Sequence, residues 1–429
     1  MIRRTPWDST KRNKLLGFVL LIGALVVGAA TISFFCRRSK SPQVVPVAEV
    51  PACSPAVATG WRVEVAGDSS RSQHFSGHYA AGQVLFVPAG ATFLVTPEPP
   101  NCQGMLCEKS LDGKFDHDGG ELNIPTEKNG HLIQECRAPF HPGLYPLVWK
   151  TAQTLVPAAM SASTSGGAAT PAVTLNLMVL SRAEAQTKGD RTSVKVNGSS
   201  IGAYHDPAQS SVRRVRENAH LYKPPEFFAV LTPDTIPLSI GPDFDLGQLV
   251  AFKDYHGPDG KKVYTTIRHT DVLPPRPELI DKLNKLRDRL RSKGVKVTKF
   301  WITSGFRTPE YNHSIGGAAY SRHCFGDAVD LVIDEDDDKK MDDLNGDGRI
   351  DRKDGIIIGN ACRELELEGA VVPGGIGVYE WQADDSVGSH VHIDCRGYIS
   401  RWGQIGSGRT KKTFVWWPKA EFQEEDSGE

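Results

Sequence analysis

Residues 15–35 form an apolar segment, LLGFVLLIGALVVGAATISFF, that runs without a charged side chain. A helix of about 20 apolar residues spans the hydrocarbon core of a bilayer, so this segment predicts a single-pass transmembrane anchor. Five basic residues precede the segment and three follow it, which favours a cytoplasmic N-terminus (1–14) and an exported remainder. A cleaved signal peptide is the alternative, but its apolar region is shorter and ends at small residues, unlike SFFC. The predicted location is the inner (cytoplasmic) membrane, with most of the chain on the exported, periplasmic side.

Length and charge limit the classes of protein that this chain can be. With 429 residues it is long enough for two or three domains. Its formal net charge is −1, so it has no basic surplus to neutralise phosphates, and we expect no nucleic-acid partner. Seven of the eight cysteines follow Cys36 and would be exported, where disulfides persist. Seven is an odd number, so at least one of them stays free or pairs between chains.

The hydrophobic pattern divides the exported part into segments. A linker rich in Pro, Val and Ala (36–59) comes first and predicts a semi-stiff spacer. Short alternating runs such as WRVEV and ATFLVT follow, separated by turn residues, and predict an all-β, sandwich-like domain over 60–180. A polar connector (181–225) leads into a region of mixed α and β character (226–418), and an acidic tail (419–429) ends the chain.

The mixed region opens with a helix, a strand and a loop. PELIDKLNKLRDRLRSKG (277–294) places four leucines on one helical face, begins with proline and ends with glycine, as helix termini prefer. VKVTKFWIT (295–303) predicts a strand, which delivers the chain into SGFRTPEYN (304–312).

Two short motifs together predict a metal site. SRHCFGDAVD contains His323 and Asp330, and GSHVHIDCRG contains His390 and His392 on a predicted strand. Each motif is common by chance when it stands alone. A catalytic zinc site needs three protein ligands of the His and carboxylate type and leaves a fourth position for water. His323, Asp330 and one histidine of the pair would supply that set.

In order and spacing, SGFRTPEYN, SRHCFGDAVD and GSHVHIDCRG resemble the zinc D-alanyl-D-alanine carboxypeptidase family. These LAS and hedgehog-like peptidases act on peptidoglycan stem peptides, and the resemblance covers about residues 226–403. It implies an α+β catalytic domain, an antiparallel sheet with flanking helices, in which His323, Asp330 and His392 hold zinc. By the same resemblance Arg307 holds the substrate carbonyl, and its permanently charged guanidinium would stabilise the oxyanion.

The general base is where the chain departs from the family. Relatives place an acid three residues before the last zinc histidine, and that position is Ser389 here. His390 and Asp385 are the candidates to share the role. Because the usual acid is absent at position 389, a second hypothesis remains: a non-catalytic protein of the same fold that binds cell-wall peptide or a partner protein. A third reading is a calcium-stabilised adhesion or spacer protein, which predicts no zinc.

Between the two halves of the metal motif, DLNGDGRIDRKD (343–354) fits the twelve-residue calcium loop. Gly348 stands at position 6, where the turn requires glycine. An oxygen-only ligand set suits calcium and not zinc, and an aspartate at position 12 predicts modest affinity. We expect a structural role for this loop. Its predicted ligands are Asp343, Asn345, Asp347, the carbonyl of Arg349, Asp351 and Asp354.

Overall fold

The structure is a computed structural model of the chain, and its described residues all belong to one compact unit, Cys53–Glu429. The predicted anchor, linker and acidic tail lie outside the described residues. Within the described part, no helix is long and apolar enough to cross a membrane. The fold is mostly β with few helices, a mixed α+β fold with several sheets. The described ranges are 60–66, 73–80, 83–98, 104–108, 121–122, 126–128, 131–151, 173–241, 244–253, 255–256, 262–263, 267–380, 388–406 and 411–418.

In the region predicted to be all-β, the described residues form ten strands: β1 (Gly60–Val65), β2 (Gly77–Ala80), β3 (Val84–Pro88), β4 (Thr92–Glu98), β5 (Gly104–Glu108), β6 (Glu121–Leu122), β7 (Thr126–Lys128), β8 (His131–Arg137), β9 (Gly143–Thr151) and β10 (Val173–Arg182). One sheet has the order β2-β1-β4-β8-β6, with β7 also paired to β8. In the other, β10 pairs with β9 and β3, and β9 pairs with β5. Buried side chains of both sheets, such as Phe93 and Leu177, belong to one hydrophobic core.

The segment predicted as a polar connector contains a three-stranded sheet of β11 (Glu184–Lys188), β12 (Arg191–Val196) and β13 (Ser199–His205), followed by helix α1 (Arg213–Glu217). Its polar composition has a structural reason, because every residue of β11 is exposed. The side chains of Tyr204 and Tyr222 are buried, and both rings pack against Phe325, which belongs to the motif SRHCFGDAVD (321–330).

Short strands then connect this part to the mixed region: β14 (Phe227–Val230), β15 (Ser239–Gly241), β16 (Phe244–Asp245), β17 (Tyr255–His256), β18 (Lys262–Val263) and β19 (Val272–Leu273). β14 pairs with both β10 and β19, so the second sheet of the all-β part continues directly into the mixed region.

The last sheet carries the predicted site. Its strands are β20 (Phe300–Ser304), β21 (Ala328–Ile333), β22 (Gly375–Glu380), β23 (His390–Asp394), β24 (Ser400–Ile405) and β25 (Lys412–Thr413), in the order β20-β21-β23-β22-β24-β25. Neighbouring strands are antiparallel except for β22 and β24, which are parallel. Three helices accompany the sheet: α2 (Pro277–Ser292), α3 (Pro309–Ser314) and α4 (Arg352–Leu367). α4 contacts α2, β22 and β23.

The helix predicted over 277–294 is α2, which begins at Pro277, and its four spaced leucines are all buried. The strand predicted over 295–303 forms only from Phe300, as β20. Before Phe300, backbone groups of this segment form hydrogen bonds with side chains and not with a neighbouring strand. Arg291 Nε donates to the Val297 carbonyl, and the carboxylate of Glu335 accepts from the amide of Thr298.

Candidate metal centre

The antiparallel pairing of β21 with β23 places Asp330 directly opposite His392. A short 3-10 helix, Arg322–Phe325, brings His323 to the same place, and Gly326 ends it in the left-handed conformation. His323 Nε2 lies 3.2 Å from Asp330 Oδ1 and 3.2 Å from His392 Nδ1, and His392 Nδ1 lies 2.9 Å from Asp330 Oδ1. All three side chains are buried. The structure therefore brings together the three residues predicted to bind zinc.

The outer partners of the two histidines determine which ring nitrogens carry protons. His323 Nδ1 lies 2.8 Å from the carbonyl of Gly305, and His392 Nε2 lies 3.1 Å from Asp394 Oδ2. A carbonyl only accepts hydrogen bonds, so His323 Nδ1 donates to Gly305; His392 has a carboxylate beside each ring nitrogen and would donate to Asp394 when its Nδ1 binds a metal ion. With both protons on the outer nitrogens, the inward-facing nitrogens of the two rings would be available to bind a cation beside Asp330.

Three lone-pair donors this close together fit a cation. Donor atoms around a tetrahedral zinc, with bonds of 2.0–2.2 Å, lie about 3.3 Å apart, which is close to the distances between these atoms. Imidazole nitrogens and a carboxylate oxygen are also the donor types that zinc accepts.

The charges around the centre favour neutral His323 and ionised Asp330. Burial, helped by the charge of Arg307, lowers the pKa of His323 to about 4. Burial opposes ionisation of Asp330, but His323, His392 and Arg307 outweigh it and hold the pKa of that carboxyl well below its usual range. Burial also acts against protonation of His392, yet the hydrogen bonds to Asp330 and Asp394 outweigh it and raise its pKa. A proton on His392 would therefore compete with a metal ion for the same lone pair.

Asp394 is a candidate functional residue that was not predicted from the sequence. Its side chain is fully buried and accepts from the amide of Gly375 (2.7 Å) and from Arg396 Nη2 (2.7 Å). A carboxylate behind a ligating histidine fixes the ring orientation and tautomer and raises the basicity of the ligand. The signal was present in HVHID, because side chains at i and i+2 of a strand point to the same face.

Arg307 approaches the centre from the loop after β20. Its Nη2 donates to Asp330 Oδ2 (2.9 Å) and its Nε donates to Ser304 Oγ (2.9 Å). Asp330 thus faces the two histidines with one oxygen and Arg307 with the other. The side chain of Arg307 remains 17% exposed, so part of the guanidinium is accessible from solvent.

His390, the first candidate for the general base, is buried on the same strand as His392 and on the same face. Its ring stacks on Tyr379 at 4.5 Å, and the Tyr379 hydroxyl accepts from Trp402 Nε1 (2.7 Å). The Trp402 ring in turn lies 5.2 Å from that of His392. Burial lowers the pKa of His390, so its imidazole is neutral near pH 7 and can accept a proton. Asp385, the second candidate, lies outside the described residues.

The predicted calcium loop connects β21 to α4. Asp343 accepts from the amides of Gly346 and Gly348, and Gly348 has a left-handed φ of 80°. Asp351 caps the first turn of α4, and buried Asp354 accepts from the amides of Leu344, Asn345 and Asp351. Asn345 Oδ1 accepts from the Asp347 amide, Asp347 Oδ1 accepts from the amide of Arg349, and Asp347 Oδ2 pairs with Lys353 at 2.5 Å.

These loop carboxylates do not form a close cluster. Among the described residues, acidic, His or Cys ligand atoms converge within 4.8 Å in the group of His323, Asp330 and His392 and in a second group of Asp334, Asp336 and Asp338. The calcium assignment therefore has less support in the side-chain geometry than the zinc assignment has.

Together, the mixed sheet and the buried His-Asp-His group beside an arginine define a candidate metallohydrolase centre. A comparison with protein families agrees with this class, since the family model described as Peptidase M15 matches residues 259–356. This family comprises zinc peptidases of the D-Ala-D-Ala carboxypeptidase-like superfamily, and the match supports a peptidase. The matched segment contains Arg307, His323 and Asp330 and ends before His390 and His392. No curated protein and no solved structure matches the chain.

Proposed function

We propose that this protein is a zinc-dependent peptidase that hydrolyses peptidoglycan stem peptides, as a D-Ala-D-Ala carboxypeptidase or as an endopeptidase. One observation carries the proposal. His323 Nε2, Asp330 Oδ1 and His392 Nδ1 lie within 3.2 Å of one another, in a chain that matches Peptidase M15 over residues 259–356. We further propose that residues 15–35 anchor the protein in the inner membrane and leave the peptidase region on the periplasmic side.

His323, Asp330 and His392 would hold the zinc ion. A zinc ion at such a site acts as a Lewis acid and lowers the pKa of water to about 7, so that a nucleophile is available near neutral pH. Gly305 and Asp394 keep the two histidines in the tautomer that offers its lone pair inwards. The chain thus supplies a site that is oriented before the ion binds.

Arg307 and His390 would carry the remaining chemistry. Arg307 binds the substrate carbonyl with the part of its guanidinium that Asp330 and Ser304 do not use, and it stabilises the negative charge that develops on the carbonyl oxygen. His390 is neutral because burial lowers its pKa, so it can accept the proton of the attacking water and pass it to the leaving amine. Asp385 is the expected partner in this proton transfer.

We also propose a structural calcium ion in the loop 343–354. The left-handed turn at Gly348 and the amides that converge on Asp343 support it, since the calcium loop needs a sharp turn at position 6. Asp354 uses its oxygens for backbone amides, which supports the expectation of modest affinity.

The direct test uses purified full-length protein and purified peptidoglycan, with products identified by mass, with and without a zinc chelator. We expect chelator-sensitive release of D-alanine or of cleaved stem peptides, and no release by the His323→Ala variant. Zinc binding without any cleaved product would instead select the non-catalytic, wall-binding reading, which the serine at position 389 favours.

A further inference from the structure

His269 bridges two segments next to the loop that carries Arg307. Its Nδ1 lies 2.9 Å from the carbonyl of Ala251, and its Nε2 accepts from the backbone amide of Thr308 at 2.9 Å. The ring stacks on Tyr311, with centroids 4.3 Å apart and an angle of 20° between the planes. Only the tautomer with its proton on Nδ1 satisfies both hydrogen bonds, because a carbonyl accepts and an amide donates.

The opposite side of the same loop is tied to a zinc-ligand residue. The Arg307 amide donates to the carbonyl of His323 at 3.1 Å, and His323 Nδ1 donates to the carbonyl of Gly305 at 2.8 Å. The backbone from Gly305 to Thr308 is therefore held by the metal centre on one side, and on the other by the backbone of Leu249 and Ala251, which bonds to Phe306, and by His269, which bonds to Thr308. Arg307 lies between these two attachments.

The surroundings keep His269 in the state that this bridge needs. Burial, together with the positive charges of Arg307 and Lys253, lowers its pKa to about 4. A neutral ring can accept from Thr308 at neutral pH, whereas an imidazolium would turn an N–H towards that amide. Among the standard amino acids, histidine alone carries a hydrogen-bond donor and an acceptor on the two nitrogens of one rigid ring.

We propose that His269 is a positioning residue that holds the Arg307 side chain in place for the substrate carbonyl by fixing the Thr308 amide to Ala251. This inference rests on the proposed function for its catalytic consequence, but the bridge itself can be tested without substrate. His269 does not touch the metal ligands or the reacting atoms, so its effect passes through Arg307. An error of about 1 Å in the placement of a catalytic group can reduce the rate about 10²-fold.

The substrate-free test uses zinc-loaded full-length protein and NMR. In the wild type, the imidazole nitrogens of His269 should report a proton on Nδ1 and none on Nε2. The His269→Gln variant should show faster hydrogen exchange at the Thr308 amide and at Arg307 Nε–H. Tyr311→Phe is the matched control, because it loses the neighbouring bond from its hydroxyl to the Phe252 carbonyl and leaves both His269 bonds in place. Unchanged exchange at Arg307 in His269→Gln would overturn the proposal, whatever the protein hydrolyses.

The catalytic test is a double-mutant cycle on stem-peptide hydrolysis. His269→Gln should lower kcat about 10- to 10²-fold in the wild-type background with zinc content unchanged, and less than about twofold when Arg307 is already alanine. Tyr311→Phe should stay within about twofold of the wild type in both backgrounds. An equal loss from His269→Gln in both backgrounds would make His269 merely structural. A wild type without turnover would overturn the proposed function instead, and the exchange measurement would still decide the positioning role.

Discussion

Asp394 Oδ2 lies 3.1 Å from His392 Nε2, while the other ring nitrogen of His392 lies 2.9 Å from Asp330 Oδ1. The imidazole is thus held between two carboxylates, and a metal ion bound at Nδ1 would leave its proton on the side of Asp394. Burial opposes ionisation of Asp394, but Arg396 and His392 outweigh burial and hold its pKa well below the usual range. The negative charge behind the ring strengthens the opposite nitrogen as a metal ligand, so the geometry around one histidine supports the metal centre.

Zinc content should depend on His323 and His392 and not on His390. Each of the first two contributes an inward lone pair, so we expect His323→Ala and His392→Ala to lose bound zinc. His390→Ala should keep zinc but lose most of its turnover. His313→Ala, an exposed histidine on α3, is the control and should match the wild type. Metal analysis and hydrolysis on the same samples check this, and full zinc retention in the first two variants would remove the site assignment.

The Asp394→Asn variant should bind zinc about 10–100-fold more weakly, because the uncharged amide no longer raises the basicity of His392. Titration of the apo protein with zinc against a competing chelator measures the effect. Glu366→Gln is a matched control, since Glu366 is a buried carboxylate that accepts from Lys282 Nζ (2.6 Å) and from the Gly374 amide (2.9 Å) and belongs to neither group of converging ligand atoms. Equal zinc affinities for Asp394→Asn and the wild type would show that Asp394 has no part in the centre.

Arg307→Lys should be a poor enzyme although it keeps the positive charge. Lysine lacks the planar fork that reaches Ser304, Asp330 and the substrate carbonyl together. Loss of one oxyanion donor costs about 10²–10³ in turnover in other hydrolases, and we expect a similar fall with zinc content unchanged. Hydrolysis of a stem peptide beside metal analysis tests this. Near-wild-type turnover in both Arg307→Lys and Arg307→Ala would make the arginine structural.

Asp343 and Asp354 should respond differently to calcium. Asp354 accepts from three backbone amides in the buried loop base, so Asp354→Ala should lower the melting temperature with or without calcium. Asp343→Ala should mainly abolish the rise in melting temperature that calcium causes. Melting curves in calcium and in a calcium chelator measure both effects. If calcium does not change the melting temperature of the wild type, the loop is not a calcium site.

The stability of the metal-free protein should fall in acid partly because of His269. Its pKa is lowered from the usual 6.5 to about 4 on folding, so between these values the unfolded chain binds more protons. The free energy of unfolding is therefore unaffected by protonation of this group above pH 6.5. It falls as the pH drops from 6.5 to 4, by about 3 kcal/mol in total. His269→Gln should have a shallower pH dependence than the wild type in urea unfolding. Parallel curves for His269→Gln and the wild type would contradict the lowered pKa.

Local sequence patterns predicted secondary structure correctly where the interactions that form an element lie within a few residues of one another. The spaced leucines between Pro277 and Gly294 predicted α2 because a helical face is set by neighbours three and four positions apart. The strand predicted from Val295 was too long, because its first residues bond instead to the side chains of Arg291 and Glu335. These side-chain hydrogen bonds are tertiary contacts, so the hydrophobic pattern of the segment does not predict them.

By itself, the sequence determined the residue types and order of the candidate site: Arg307, then His323 and Asp330, then His390 and His392. The tertiary structure alone decided how these groups act on one another. His392 and His323 are 69 positions apart, and Thr308 and His269 are 39 apart. The strand register and loop attachments that join such distant residues depend on the packing of the whole domain. The tautomers of the ligand histidines, the support from Asp394 and the bridge at His269 follow from those long-range contacts, because a proton's position is set by the atom that a ring nitrogen meets in space.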